Sequence, residues 1–282
     1  MSRLMASLET PPSGRERPVW FDAADYGRVK LLAGAVPWSS PAELVAYFGK
    51  LQNMFRSDAI LVELADLLAQ RVSGDEGLRT AMAARTRRPG YALRTLLADE
   101  QARATAVEAI RAVAATKGTV PVLLTVPAPG RWLEQAARQA LSDPGSPDPA
   151  RSEVAAMYIA DFLRIFADMP VDGLIVNEGP TSYGDLTRVE AHRPVLNVAD
   201  IYGWPVLVRA DSAVAWPYGT VPGVAAWLGS AAPDKPTGRW GVVAGPDFWD
   251  GAEPPREAGI TLAAVPVDAD PAAVMTRVRA LA

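Results

Sequence analysis

A continuous apolar run, Pro121-Val122-Leu123-Leu124-Thr125-Val126, decides the fold class of this chain. An unbroken run of this kind is typical of a parallel strand that is buried on both faces, because a half-exposed strand alternates apolar with polar residues. Seven more short apolar runs lie along the chain, at 18–21, 59–62, 173–176, 205–208, 224–227, 240–244 and 261–265. Together the runs predict eight parallel strands.

Helical patterns separate these runs. Residues 41–55 and 153–167 carry apolar side chains at helical spacing, and residues 91–116 and 131–141 are rich in good helix formers. Eight strands with helices between them predict an α/β protein, a (β/α)8 barrel of the TIM type. The last four runs begin only about 20 residues apart. This spacing is near the lower limit for a helical return, so the C-terminal half is expected to be a pared-down barrel or an open sheet.

The domain organisation follows from the length. A chain of 282 residues suits one large domain or two small ones. We expect residues 1–16 to form a loose arm, because they are mostly polar and contain Pro11-Pro12, and residues 17–282 to form one barrel domain. The apolar stretch at 4–8 is too short for a signal peptide, and no window approaches the ~20 apolar residues of a membrane span. A cytoplasmic protein with no membrane partner is therefore predicted.

Composition excludes several kinds of chemistry. The chain has no cysteine and one histidine, so thiolate, iron–sulfur and multi-histidine metal sites are excluded and no metal site is expected. Neither a Gly-x-Gly-x-x-Gly motif nor a Walker loop occurs, so no dinucleotide or nucleotide cofactor is expected. The formal net charge of −4 argues against a nucleic-acid partner. A small-molecule substrate is the expected partner.

The candidate site residues follow the apolar runs, because a barrel of this type places its active site at the carboxyl ends of the strands. The polar residues just past the runs are mainly carboxylates and arginines: Asp22, Asp25, Arg28, Glu63, Asp66, Arg131, Asn177, Glu178, Arg209, Asp211, Ser230, Asp247 and Asp268. Arginines can bind a substrate carboxylate, and a desolvated carboxyl group can act as an acid or base. Any one of these residues could instead cap a helix. From this set we predict Arg131, Asn177, Arg209 and Asp211 as substrate-binding residues.

The pair Asn177-Glu178 gives a second hypothesis. At the end of the fourth run it resembles the fourth-strand end of barrel glycosidases, where an Asn–Glu pair carries the acid/base. A retaining glycosidase needs a second carboxylate at ~5–5.5 Å, for which Asp247 is the candidate. The neighbouring Ser182 does not fit a nucleophile elbow, because the glycine spacing differs by one residue and His192 follows too closely.

The order of segments resembles the uroporphyrinogen decarboxylase-like superfamily, which shares its barrel with cobalamin-independent methionine synthase. The resemblance is carried by Arg17-Pro18-Val19-Trp20 followed by Gly27-Arg28, by Asp58-Ala59-Ile60-Leu61 followed by Asp66, by Thr119-Val120-Pro121-Val122-Leu123, by residues 158–176 and by Val267-Asp268-Ala269-Asp270-Pro271. It implies that Arg28 binds a substrate carboxylate and that Asp66 holds the reacting ring or stabilises a cationic intermediate. The family's fourth-strand serine falls near Glu178 or Ser182.

Two departures from that family narrow the hypothesis. Val265-Pro266-Val267 stands where the family has Gly-His-Gly, and the absence of cysteine excludes the zinc-dependent methyltransferases. We therefore predict a divergent, cofactor-free lyase of the decarboxylase type that acts on a small acidic or cyclic metabolite. Asp66 or Glu178 would donate the proton or act as the electrostatic stabiliser, and Arg28, Arg131 and Arg209 would anchor anionic groups. The alternatives are a glycosidase that uses Glu178 and a non-catalytic ligand-binding relative. A homodimer fits the resemblance, because members of the superfamily often pair.

Overall fold

The computed structural model describes residues 2–32, 34–85, 88, 90–116, 118–141, 148–179, 186–211, 221–231 and 238–281, with the backbone alone for 186–188. Its eight strands are all parallel and form one sheet in the order β1-β8-β7-β6-β5-β4-β3-β2. The strands are β1 Val19–Asp22, β2 Ile60–Glu63, β3 Val122–Pro127, β4 Gly173–Gly179, β5 Val206–Ala210, β6 Val224–Gly229, β7 Trp240–Ala244 and β8 Thr261–Ala264. The predicted (β/α)8 barrel is confirmed, and each strand coincides with a predicted apolar run to within a few residues.

The helices surround this sheet. They are α1 Arg3–Glu9, α2 Ala24–Gly27, α3 Pro41–Phe55, α4 Leu64–Gly74, α5 Glu76–Ala83, α6 Tyr91–Ala98, α7 Glu100–Thr116, α8 Pro129–Gln139, α9 Pro149–Leu163, α10 Arg193–Ile201 and α11 Pro271–Ala280. Between β5 and β8 the described residues contain no α-helix, only the 3₁₀ turn Pro246–Phe248. As far as the chain is described, the C-terminal half is thus a pared-down barrel, which is one of the two outcomes that its close strand spacing predicts.

Two apolar layers hold the barrel together. One lies between the strands and the helices, where α3 contributes Leu44, Tyr47, Leu51 and Phe55 from one face. The other fills the barrel interior and includes Trp20, Leu123, Ile175, Leu207 and Leu262. Since side chains alternate along a strand, each strand supplies both layers.

The N-terminal residues differ from the expected loose arm. Residues 3–9 form α1, whose Leu4 is fully buried and whose Leu8 is nearly so. Both leucines belong to the apolar cluster of the barrel interior, and a Cβ at Gly173 would lie only 2.7 Å from Leu4. Leu4 and Leu8 lie four residues apart, on one face of the helix, which closes the amino-terminal end of the barrel.

The gap between β1 and β2, which we call the seam, is closed by side chains. In the described chain the ladder joins β1 to β8 and β2 to β3, but β1 and β2 share no ladder. The carboxylate of Asp58 accepts a hydrogen bond from the Val19 amide at 2.9 Å, and the Ser57 hydroxyl accepts one from the Phe21 amide at 3.0 Å. Asp58 is fully buried and lies 3.5 Å from the Arg15 guanidinium. The Val19 and Phe21 amides are therefore satisfied by side chains, and one backbone bond, from the Asp58 amide to the Val19 carbonyl at 3.0 Å, also crosses the seam.

Candidate functional site

A ring of polar side chains lines the carboxyl end of the barrel interior. Trp20, Leu123, Ile175 and Leu207 fill the interior, and Leu61 packs against them. Side chains two positions further along each strand point to the same side. The residues in those positions are Asp22, Glu63, Thr125, Asn177 and Arg209, which we call the polar ring.

Arg209 crosses the mouth of the barrel. Its strand, β5, lies four places from β1 in the sheet order and so on the opposite side of the barrel. The Arg209 guanidinium donates to the Asp22 carboxylate at 2.8 Å and, through Nε, to the Asp211 carboxylate at 2.7 Å. Burial opposes the charged form of Arg209, but the two carboxylates outweigh it and raise the arginine pKa. The guanidinium is fixed in place and its charge is compensated.

Glu63 is held in its neutral form. Burial and then the nearby Asp22 carboxylate raise the pKa of Glu63 to about 8, although Arg209 acts in the opposite direction. At neutral pH this side chain is therefore a carboxylic acid that can give up a proton. Thr125 lies beside it in the β2–β3 register, and the interaction of the Thr125 hydroxyl with the Glu63 carboxyl group also opposes this rise in pKa.

Asn177 connects the ring to Arg131. The Asn177 side-chain oxygen accepts from the Gly179 amide at 2.8 Å and from the Arg131 guanidinium at 3.3 Å. Gly179 has a φ of 71°, and a Cβ at this position would overlap the Arg131 guanidinium. Glycine is required here for both reasons, and the sheet register shifts between Asn177 and Gly179. This bulge places Arg131, which lies near the start of α8, beside the ring.

Asp66 and Arg28 lie apart from the ring. Asp66 is in the first turn of α4, at the protein surface. Its pKa is raised, mainly because neighbouring atoms remove part of its contact with water and secondly because of the nearby Asp25 carboxylate. Arg28 pairs with Asp25 at 3.3 Å, and both side chains are largely exposed. The structure thus groups these predicted residues with Asp25 at the outer edge of the mouth.

Glu178 makes a separate contact. Its carboxylate lies 3.2 Å from Nε2 of His192, which is buried at the start of α10. Burial lowers the pKa of His192 to about 4, so the imidazole is neutral at physiological pH. Asp247, the candidate partner of Glu178, is exposed on the turn after β7. Ser182 lies outside the described residues.

The structure therefore unites part of the predicted set. Arg209, Asp211, Asn177 and Arg131 lie in or beside the ring. Asp22 and Glu63 were candidates only as members of the long series of polar residues past the strands. The signal that could have selected them is their position two residues after Trp20 and Leu61, on the inward side of each strand.

The described residues contain no group of three or more side chains that could hold a metal ion. Among them there is also no helix that is long and apolar enough to cross a membrane.

A scan of the chain against protein-family models finds no match, and a search of curated proteins finds no similar one. The resemblance to the uroporphyrinogen decarboxylase-like superfamily stays a prediction.

Proposed function

We propose that the protein is a lyase of the decarboxylase type, that the polar ring is its active site and that Glu63 donates the proton. The observation that carries this proposal is the neutral carboxyl group of Glu63 beside an arginine that two other carboxylates already compensate. Asp22, Asp211 and Arg209 together carry one net negative charge, and the positive charge of Arg131 lies at the side of the ring next to Asn177. We further propose that the substrate is a small carboxylic acid and that the enzyme acts in the cytoplasm.

This charge distribution suits the loss of carbon dioxide. A substrate carboxylate placed near Asp22 and Asp211 is repelled, whereas carbon dioxide carries no charge and is not. The bond between the carboxylate and its carbon breaks, and its electron pair stays on that carbon. Glu63 then protonates the carbanion and becomes a carboxylate, which takes up a proton from water before the next turnover.

Arg131 is suited to holding a second anionic group of the substrate. Its guanidinium lies beside the ring, where it donates one bond to Asn177. Arginine carries five N–H donors, so this bond, the hydrogen bond of Arg131 within the described residues, leaves donors for a carboxylate. An anion bound there would fix the substrate while its reacting carboxylate faces Asp22.

The experiment is a decarboxylation screen. The protein is incubated with a panel of small dicarboxylic, keto and aromatic acids, and carbon dioxide release is measured together with incorporation of deuterium from D₂O at the carbon that lost the carboxylate. We expect Glu63→Gln to lower kcat by about 10²–10⁴-fold, the usual contribution of a proton donor. The matched control is Glu153→Gln on the exposed part of α9, which should be neutral.

Asp66→Asn and Glu178→Gln separate the two assignments of the proton donor. If Glu63 is the acid, both variants keep most of the activity. Loss of turnover in either, with Glu63→Gln active, would return the role to the residue predicted from the sequence.

Glycoside hydrolysis is a second candidate, because the Asp22 charge and the raised pKa of Glu63 are the pattern of an ionised and a protonated carboxyl group working together. A panel of nitrophenyl glycosides tests it. Turnover of a glycoside and of no acid would replace the lyase. Turnover of neither class would favour a non-catalytic ligand-binding protein.

A further inference from the structure

A cavity extends from the polar ring into the seam. Its volume is about 40 Å³, and it lies between β1, β2 and the inner face of α3. We call it the seam pocket and define it by its lining residues: Phe21, Asp22, Ala23, Ala24, Val36, Trp38, Tyr47, Phe48, Leu51, Gln52, Phe55, Ser57, Ala59, Ile60, Leu61 and Glu63. Since a water needs about 10–15 Å³ of such space, the pocket holds roughly three groups the size of a methyl or a water.

The pocket exists because the seam has no ladder. Ser57 and Asp58 satisfy the Val19 and Phe21 amides, so these two amides need no ladder partner on β2. The lining therefore includes side chains from both sides of the barrel wall. Leu61 belongs to the interior layer, and Phe21 and Ile60 belong to the layer beneath the helices.

The inner part of the pocket is mostly apolar, although the Trp38 indole N–H is buried without a hydrogen-bond partner among the described residues. The other polar side chains there are already bonded. The Tyr47 hydroxyl is bonded to the Ala24 carbonyl at 3.0 Å, and the Gln52 amide is bonded to the Ser57 carbonyl at 2.7 Å. The Ser57 hydroxyl serves the Phe21 amide and the Ala59 carbonyl. These polar groups are already used, so they offer little to a polar ligand.

The lining residues that carry carboxyl groups are Asp22 and Glu63, and both belong to the polar ring. A molecule in the pocket would thus place an apolar group among Trp38, Phe48 and Leu51 while its polar end meets Glu63. We infer that the seam pocket selects substrates that carry a short branched aliphatic group of about three carbons next to the reacting carboxylate. This inference rests on the proposed function, because the bound molecule is a substrate only if the protein is the proposed lyase. The binding itself does not depend on turnover.

The test uses neutral amides as probes, so that binding is measured without any reaction. Isobutyramide has two more carbons than acetamide, and each buried carbon contributes about fourfold in affinity. We expect isobutyramide to bind about 15-fold more tightly than acetamide, and cyclohexanecarboxamide to be excluded by size. In ligand-observed NMR the methyl signals of bound isobutyramide should shift upfield, because the Trp38 and Phe48 rings lie 6.2 Å apart in the pocket wall.

Ala24→Leu fills the pocket from its half-buried edge, and Ala42→Leu on the exposed start of α3 is the matched control. We expect Ala24→Leu to lower the affinity for isobutyramide at least tenfold, with acetamide less affected, and the control to bind both as the wild type does. Equal binding of the two amides to the wild type, or unchanged isobutyramide binding by a folded Ala24→Leu, would overturn the inference.

The outcomes also distinguish the two proposals. If the protein distinguishes the two amides but decarboxylates no acid, the proposal for the seam pocket is supported and the proposed lyase function is refuted. If decarboxylation does not depend on the branched group and is unaffected by Ala24→Leu, the lyase function is supported and the proposal for the seam pocket is refuted.

Discussion

The protonation of Glu63 links the barrel mouth to the stability of the whole fold, and Glu63→Gln measures that link. The pKa of Glu63 rises from 4.5 to about 8 on folding. A raised pKa stabilises the fold fully below pH 4.5, and this contribution is lost as the pH rises through 8. Between pH 4.5 and 8 the free energy of unfolding falls by about 1.4 kcal/mol per pH unit. At pH 7 the Glu63 contribution to stability is therefore smaller by about 3 kcal/mol, or by about 2 kcal/mol when water at the mouth screens part of the effect.

Glutamine resembles the protonated acid in shape and does not titrate. We expect the variant to exceed the wild type in stability by less than about 1 kcal/mol near pH 5 and by about 2–3 kcal/mol at pH 7. His192 acts in the opposite direction below pH 6.5, because burial lowers its pKa to about 4. The measured quantity is therefore the difference between variant and wild type in the free energy of unfolding, obtained by urea denaturation from pH 5 to 8.5. The control is Glu153→Gln. A difference for Glu63→Gln that stays constant with pH would refute the assignment of a neutral Glu63.

Three further variants test the supports of the site. Asp58→Ala removes the buried carboxylate that bonds the Val19 amide and pairs with Arg15. It should destabilise the fold by about 3–5 kcal/mol in urea denaturation. An effect as small as that of the exposed Asp247→Ala would contradict the role of Asp58 in closing the seam. Leu4→Ala should cost about 2–4 kcal/mol, whereas Met157→Ala, at a position 59% exposed, should cost much less; equal losses would mean that α1 does not close the barrel. Gly179→Ala should destabilise by about 1–2 kcal/mol and, because it displaces Arg131, raise KM for a dicarboxylate substrate more than it lowers kcat; a pure kcat effect would remove Arg131 as an anchor.

The barrel was predictable because its signal is local. Each strand is an apolar run of a few residues, and an unbroken run of this kind is typical of a parallel strand buried on both faces. The spacing of the last four runs also predicted a pared-down barrel or an open sheet, and the described residues between β5 and β8 contain no α-helix. The packing of α1 was missed because a seven-residue helix has few periodic positions, and only its contacts show that Leu4 and Leu8 enter the barrel.

The site was less predictable, because its members meet across the barrel. Arg209 and Asp22 are 187 positions apart, and nothing near either residue indicates the other. Asp66 and Glu63 show why site residues cannot be selected only by their distance along the sequence from a predicted strand. Both follow the second apolar run, but Glu63 ends the strand with its side chain inward, whereas Asp66 is already in the first turn of a helix. A difference of three residues changes the surroundings of the carboxyl group entirely.

The missing ladder at the seam also defines where the sheet begins and ends. Taken as a strip, the sheet starts at β2, follows the chain through β8 and finishes with β1, so the first strand in the sequence is the last in hydrogen-bonded order. A chain rearranged so that it begins before β2 and carries β1 after β8 would therefore keep all seven ladders. It would lose only the covalent connection across the one boundary that side chains already close.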